Sequence, residues 1–193
     1  MLTQIGGKRE SNFTEPLGML RDCHKRIQYF LRALAVLAEH ALDGPLNRDQ
    51  RIRLETALQY FREGGPRHTA DEEESLFPRL RCIDTPEVHQ VFAKMESLEA
   101  DHRQAEAMHR EIDALGREWL SNGHIAAAAA AQLTVLLASL SEIYEHHLVV
   151  EETEIFAVAS AALSEAEKES LGQEMARRRG ILLRSSGADP REA

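Results

Sequence analysis

The chain has 193 residues, enough for one domain with a substantial core and cramped for two. A formal charge of −9 leaves no basic face for a nucleic acid or an acidic membrane, and two cysteines make no disulfide framework. Few aromatics, six prolines and plentiful Ala, Leu and Glu suit helices, in a protein expected to be reduced and cytoplasmic.

Residues 1–14 open with MLTQIGGKRE, which lacks the apolar run of a signal peptide, and are read as an N-terminal segment. The first helix starts at Pro16, a good first-turn residue, and stops at the DGP of 43–45. The second opens at Asn47 with Gln50 as capping-box partner and reaches Leu80, kinked or split by the GGP of 64–66. The third follows Thr85-Pro86 and ends at the SNG of 121–123, and the fourth covers 125–161. Ser164 and Glu167 cap a short C-terminal helix ending near Gly180, and residues 181–193 form a loose tail. The most apolar stretch, residues 125–140, is broken by Gln132, Thr134 and Ser139 and is shorter than the ~20 residues of a membrane span. No membrane partner is expected.

Short connections between antiparallel helices predict an all-α, up-down-up-down four-helix bundle over 15–162, with the C-terminal helix at 163–180. Each long helix carries polar groups in the middle of its apolar seam: His24, then His68 and Glu72, then His102, then His147 and Glu151. Charged residues are almost never buried unless paired or bound to something. Residues four apart on a helix are neighbours on one face, so His68/Glu72 and His147/Glu151 are two bidentate arms. The pattern repeats: His68 follows His24 by 44 residues (68 − 24) and His147 follows His102 by 45 (147 − 102). His24 lies 19 residues before Asp43 and His68 lies 21 after Asn47, which puts the two within a turn of the same height.

Four imidazoles and two carboxylates converging in a bundle suit a pair of first-row metal ions. Two histidines can cap each ion, Glu72 and Glu151 can bridge, and an oxo or hydroxo group can complete the bridge with a sixth position left open. Nitrogen with hard oxygen ligands favours iron or manganese over zinc.

The phrases DCHKRI, HTADEEESLFP, EADHRQ and HHLVVEE make the chain similar to the hemerythrin-like (HHE cation-binding) proteins over residues 17–160. The resemblance implies a non-haem diiron centre, two iron ions held by His24, His68, Glu72, His102, His147 and Glu151. Oxygen-carrying hemerythrins have a fifth histidine one turn after the third, where this chain has Glu106. The four-histidine, two-glutamate pattern is more similar to diiron proteins implicated in nitric-oxide stress and repair of iron centres, which also carry a cysteine-bearing N-terminal domain. The expected ligand is a small diatomic or peroxide (O₂, NO or H₂O₂), handled by a sensor, store or scavenger rather than an enzyme with an organic substrate. The other reading is an iron-handling or regulatory module whose fold depends on metal.

Several neighbours take simpler readings. Asp71, Glu73, Glu74 and Glu152 are read most simply as solvated acids, with orienting an imidazole N–H as the other role for about one in three of them, and His146 as outer face or a ligand's neighbour. Cys23 is read as buried. His109, one heptad past His102, is placed inside without a carboxylate arm. Tyr144 faces inward one turn before His147, as a core residue or as a donor to bound oxygen species. Glu106 is either a further iron ligand or a group pointing between helices.

Overall fold

A computed structural model describes residues 10–183, all helical where ordered secondary structure occurs and without strands among those residues. Helix α1 (Pro16–Glu39) starts at the expected proline and ends in a turn at His40–Asp43, short of the DGP. Helix α2 (Arg48–Asp71) has the expected box: Asn47 Oδ1 accepts from the Gln50 N–H, and Gln50 Oε1 accepts from the Asn47 N–H. It passes through Gly64-Gly65-Pro66 without splitting. Pro66 is exposed, so the carbonyl that its missing N–H frees lies on the solvated side.

At Glu72 the second helix widens into one π-helical turn, Glu72–Leu76, closed by the Phe77 N–H on the Glu72 carbonyl, and ends as α3 (Phe77–Arg81). The fourth stave does the same. Helix α6 (Ala127–Val150) gives way to a π-turn at Glu151–Ile155, then to α7 (Phe156–Ala162). Each π-turn begins at the glutamate of a His-x₃-Glu arm, a coincidence with functional residues that such turns often show.

The third stave is not one helix. A four-residue helix α4 (Pro86–His89), capped by Thr85 on the Val88 N–H, precedes α5 (Phe92–Asn122). No glycine or proline between Glu87 and Met95 marks the break. Gly123, in the left-handed region at φ 75°, caps α5 through its N–H on the Trp119 carbonyl.

α1 contacts α2 and α6, and α5 contacts α2 and α6, so four staves form a ring in chain order. Two apolar clusters fill it. One, around Ile27, Leu34, Leu58, Ile112 and Leu137, and the other, around Leu20, Leu76, Leu98, Ile155 and Phe156, lie on either side of the polar residues along every stave. Helix α8 (Glu165–Arg178) carries the Ser164/Glu167 capping box and lies against α1, α2 and the first π-turn. Arg178 and Arg179 both reach Asp71, at 2.9 and 2.7 Å, and Arg79 forks onto Glu174. Gly172 fits under the Phe13 carbonyl, where a Cβ would stand 1.9 Å from its oxygen. Of the tail, residues 184–193 lie outside the described residues.

One helix, Ala127–Ala162 counted through its π-turn, is long and apolar enough to cross a membrane by length and composition. Leu133, Leu137 and Leu140 of that helix are core residues of the bundle.

Candidate metal centre

The structure brings all six seam residues together. His24, His68, His102, His147, Glu72 and Glu151 are buried in one layer between the two apolar clusters, the two carboxylates at 0 % exposure. All four imidazoles aim Nε2 inward. Glu72 Oε1 stands 3.4 Å from His68 Nε2 and 3.9 Å from His24 Nε2, while its Oε2 stands 3.5 Å from His102 Nε2. Glu151 Oε2 stands 3.2 Å from His24 Nε2 and its Oε1 3.2 Å from His147 Nε2. Each carboxylate therefore turns one oxygen to a His24/His68 half and the other to a His102/His147 half. Donor atoms of His24, His68, Glu72 and Glu151, and those of His102, His147 and Glu151, each lie within 4.8 Å of one another.

Both oxygens of Glu72, both oxygens of Glu151, and Nε2 of His24 and His102 are buried with no hydrogen-bond partner. A buried carboxylate without donors is costly, and two of them in one layer call for neutralisation by a proton or a bound cation. The protonation pattern shows the same demand. Burial opposes charge on His24, yet Glu151 and Glu72 outweigh it and hold the ring up at about 10. Burial, then the charge of Glu151, pushes the Glu72 carboxyl well above its usual range. Burial pushes Glu151 the same way, but the attraction of the His147 and His24 rings, each 3.2 Å away, prevails and holds it well below. Burial and the charge of His24 drive His68 far down, toward the neutral imidazole a metal needs.

The outer nitrogens are held by acids that spacing alone did not single out. His102 Nδ1 donates to Glu73 at 2.7 Å and His24 Nδ1 to Glu152 at 2.8 Å. His147 Nδ1 faces Asp101 at 3.3 Å. Glu73 and Glu152 are thus not merely solvated: the residue after each of Glu72 and Glu151 is turned about 100° round its helix, onto the histidine of the neighbouring stave. Asp101, missed in the sequence, does the same from the position before His102. The motif EADHRQ carried that signal. His68 Nδ1 alone of the four has no partner. In the internal repeat the counterpart of Asp101 is Cys23, a buried thiol bonded by Arg26, which explains the gap.

Asp71 is also not solvated. It is buried at 0 % exposure and paired with Arg178, the last residue of α8, and Arg179, which follows it. Glu74 is an exposed partner of Arg178. His146 is exposed. Glu106 turns away from the centre: it is 65 % exposed and pairs with Arg110 at 2.8 Å, one helical turn further on. Tyr144 points its hydroxyl at His109 Nε2, 3.1 Å away.

A family model, Hemerythrin HHE cation binding domain, matches residues 15–159. The chain belongs to the hemerythrin HHE cation-binding domain family. This hemerythrin-like chain is also 28 % identical over 92 residues to an uncharacterized protein of Haemophilus influenzae. That match covers 48 % of this chain and 51 % of the relative, so the chain spans about half the length of the relative it matches.

Proposed function

We propose that this protein is a non-haem diiron protein that binds or reacts with O₂, NO or peroxide. The observation that supports it is the pair of buried, donorless carboxylates, each presenting one oxygen to each of two histidine pairs. His24 and His68 would hold one iron, His102 and His147 the other, and Glu72 and Glu151 would bridge. Bound there, two irons would supply an open coordination position and one-electron steps to a small ligand. The chain's own residues then have defined tasks. Glu73, Glu152 and Asp101 fix the tautomer and plane of three imidazoles, and the leucine and phenylalanine clusters above and below keep bulk water out. A reduced, cytoplasmic setting without nucleic-acid or membrane partners belongs to the same proposal.

Anaerobic reconstitution followed by metal analysis tests it: two irons per chain are expected, and one or none in folded protein sinks the two-metal reading. Optical spectra of the reduced protein with O₂, NO and H₂O₂ then separate the three ligands.

One observation favours a regulatory role beside this. Asp71, next to Glu72, is the anchor for Arg178 and Arg179, so the bridging arm and the C-terminal helix share one segment of chain. Iron occupancy would then be felt by α8. Comparison of thermal stability and α8 proteolysis with and without iron tests that coupling.

A further inference from the structure

Beside the centre, between α2 and α5, lies a half-open cleft of about 270 Å³. Its walls include Phe61, Gly65, Ala105, His109 and Tyr144, and of the six centre residues it touches His102 and no other. The two halves of the centre therefore differ. His24 lies under the ring of Phe156, whereas His102, the most exposed of the six at 8 %, faces the cleft. Glu106, which would narrow the cleft if it turned in, is at the rim and tied to Arg110.

The volume is far larger than a diatomic needs, since one water's share of liquid is about 30 Å³. It is close to the lower limit for pockets that take small organic molecules. The charged side chains of the wall are three acids and one exposed arginine, so the wall disfavours an anion, and each acid is already paired. Glu73 is bonded to His102, Glu74 to Arg178 and Glu106 to Arg110, and Arg103 is exposed. What remains is an apolar floor, with Phe61 and His109 stacked 4.3 Å apart, and two hydroxyls, those of Thr69 and Tyr144, of which Tyr144 belongs to the deeper His109 side.

The His109–Tyr144 contact decides what that hydroxyl offers. Nδ1 of His109 is buried and unpartnered. An orphaned buried N–H is rarer than an orphaned acceptor, so the proton belongs on Nε2, which donates to the tyrosine oxygen. The tyrosine's own proton is then free to point into the cleft.

We propose that this cleft is a binding site for a small uncharged organic molecule bearing a hydroxyl or hydroperoxyl group. Its apolar body rests on the Phe61–His109 floor, and its oxygen accepts from Tyr144 beside His102. The inference deepens the diiron reading, by naming the class of molecule admitted to its His102/His147 half, and extends it beyond a diatomic. No sequence motif announces the cleft because small residues make it. Its lining takes Gly65, Ala70 and Ala105 from helix positions that would otherwise carry larger side chains.

The test uses phenol as probe on the full-length chain, by equilibrium dialysis or calorimetry, with iron measured on the same samples. A Cβ at Gly65 meets no atom within 4 Å, so Gly65→Leu enters the cleft from open space and replaces a helical glycine. The parent is expected to bind one phenol with a dissociation constant of about 1 mM or tighter. Gly65→Leu should weaken this at least tenfold at unchanged helicity and iron content. Gly65→Ala gives a smaller loss should the leucine disturb the helix. Tyr144→Phe should weaken it about fivefold, the value of one neutral hydrogen bond. Benzoate should bind at least tenfold more weakly than phenol. Phenol binding that is absent in the parent, or equal in Gly65→Leu, overturns the site. Equal binding of benzoate overturns the uncharged class. An iron content other than two with this binding pattern intact would overturn the diiron reading and leave the cleft standing.

Discussion

The carboxylate of Glu73 accepts a hydrogen bond from Nδ1 of His102 at 2.7 Å, across the gap between the second and third staves. Glu72 and Glu73 therefore act in different ways although they are adjacent. Glu72→Ala removes the carboxylate that faces both histidine pairs, and iron binding should be lost. Glu73→Ala leaves all six inner groups but frees the His102 ring, which should weaken metal binding about 10–100-fold. Chelator competition measures both. Unchanged affinity in Glu73→Ala would show that His102 is held by its packing and not by that bond.

His68 is the imidazole without an outer partner, and the repeat names the reason: Cys23 stands where the second half has Asp101. Cys23→Asp should supply the missing acceptor and a partner for Arg26. Iron in the His24/His68 half should then be held several-fold more tightly, read as slower loss of the first iron to a chelator. Equal or faster loss would mean that position 23 does not face His68 as position 101 faces His147.

Glu106 lies in the solvent, paired with Arg110. An exposed pair one helical turn apart contributes about 0.3–0.5 kcal/mol. Glu106→Ala should therefore keep two irons, the same reduction potential and the same autoxidation rate. A shift in potential would show that the carboxylate swings onto the metal when iron is bound.

The bundle and its polar layer were legible because they are periodic. A histidine on each of four seams, with glutamate four residues later on two of them, can be counted in the sequence, and the height could be matched for His24 and His68. The π-turns at Glu72 and Glu151 were not, because an i+5 bond leaves no residue type behind; the α4–α5 break has no glycine or proline to announce it. The roles of Asp71, Glu73, Glu152 and Asp101 depend on what the next helix presents. An acid 100° from the seam reads as solvated until the neighbouring histidine, or an arginine of α8, is placed beside it. The direction of Glu106 was open for the same reason, and Arg110 decides it.

Asp71 is the one fully buried acid whose partners are both cations of the C-terminal helix. Asp71→Ala leaves two arginines without their acceptor at a partly buried site and should cost about 2–4 kcal/mol, toward the lower part of the range for a broken buried pair because the arginines retain some exposure. Urea denaturation measures it. Proteolysis should also begin in α8 before the bundle unfolds. A loss below about 0.5 kcal/mol would mean that α8 docks by its apolar face alone, through Leu171 and Met175.

His109 gives the stability a pH dependence that can be isolated from the centre. Burial alone holds this ring down at about 4, against an ordinary 6.5. Above pH 6.5 it is neutral folded and unfolded, and contributes no slope. Between 6.5 and about 4 the unfolded chain takes up a proton that the folded one refuses. Stability therefore falls as pH falls, by about 1.4 kcal/mol per unit from this group. At pH 5 the loss should be about 2 kcal/mol, and below pH 4 it stops growing. His24, His68, Glu72, His147 and Glu151 carry shifts of their own, but these are common to a variant that changes only His109. His109→Leu keeps an apolar side chain against Phe61 and has no proton to gain. Relative to the parent it should therefore gain about 2 kcal/mol between pH 7 and pH 5, whatever its stability at pH 7. Urea titrations of both proteins at the two pH values measure the difference. Parallel losses in parent and variant would mean that His109 is protonated in the folded protein, and that its stack on Phe61 admits a charge.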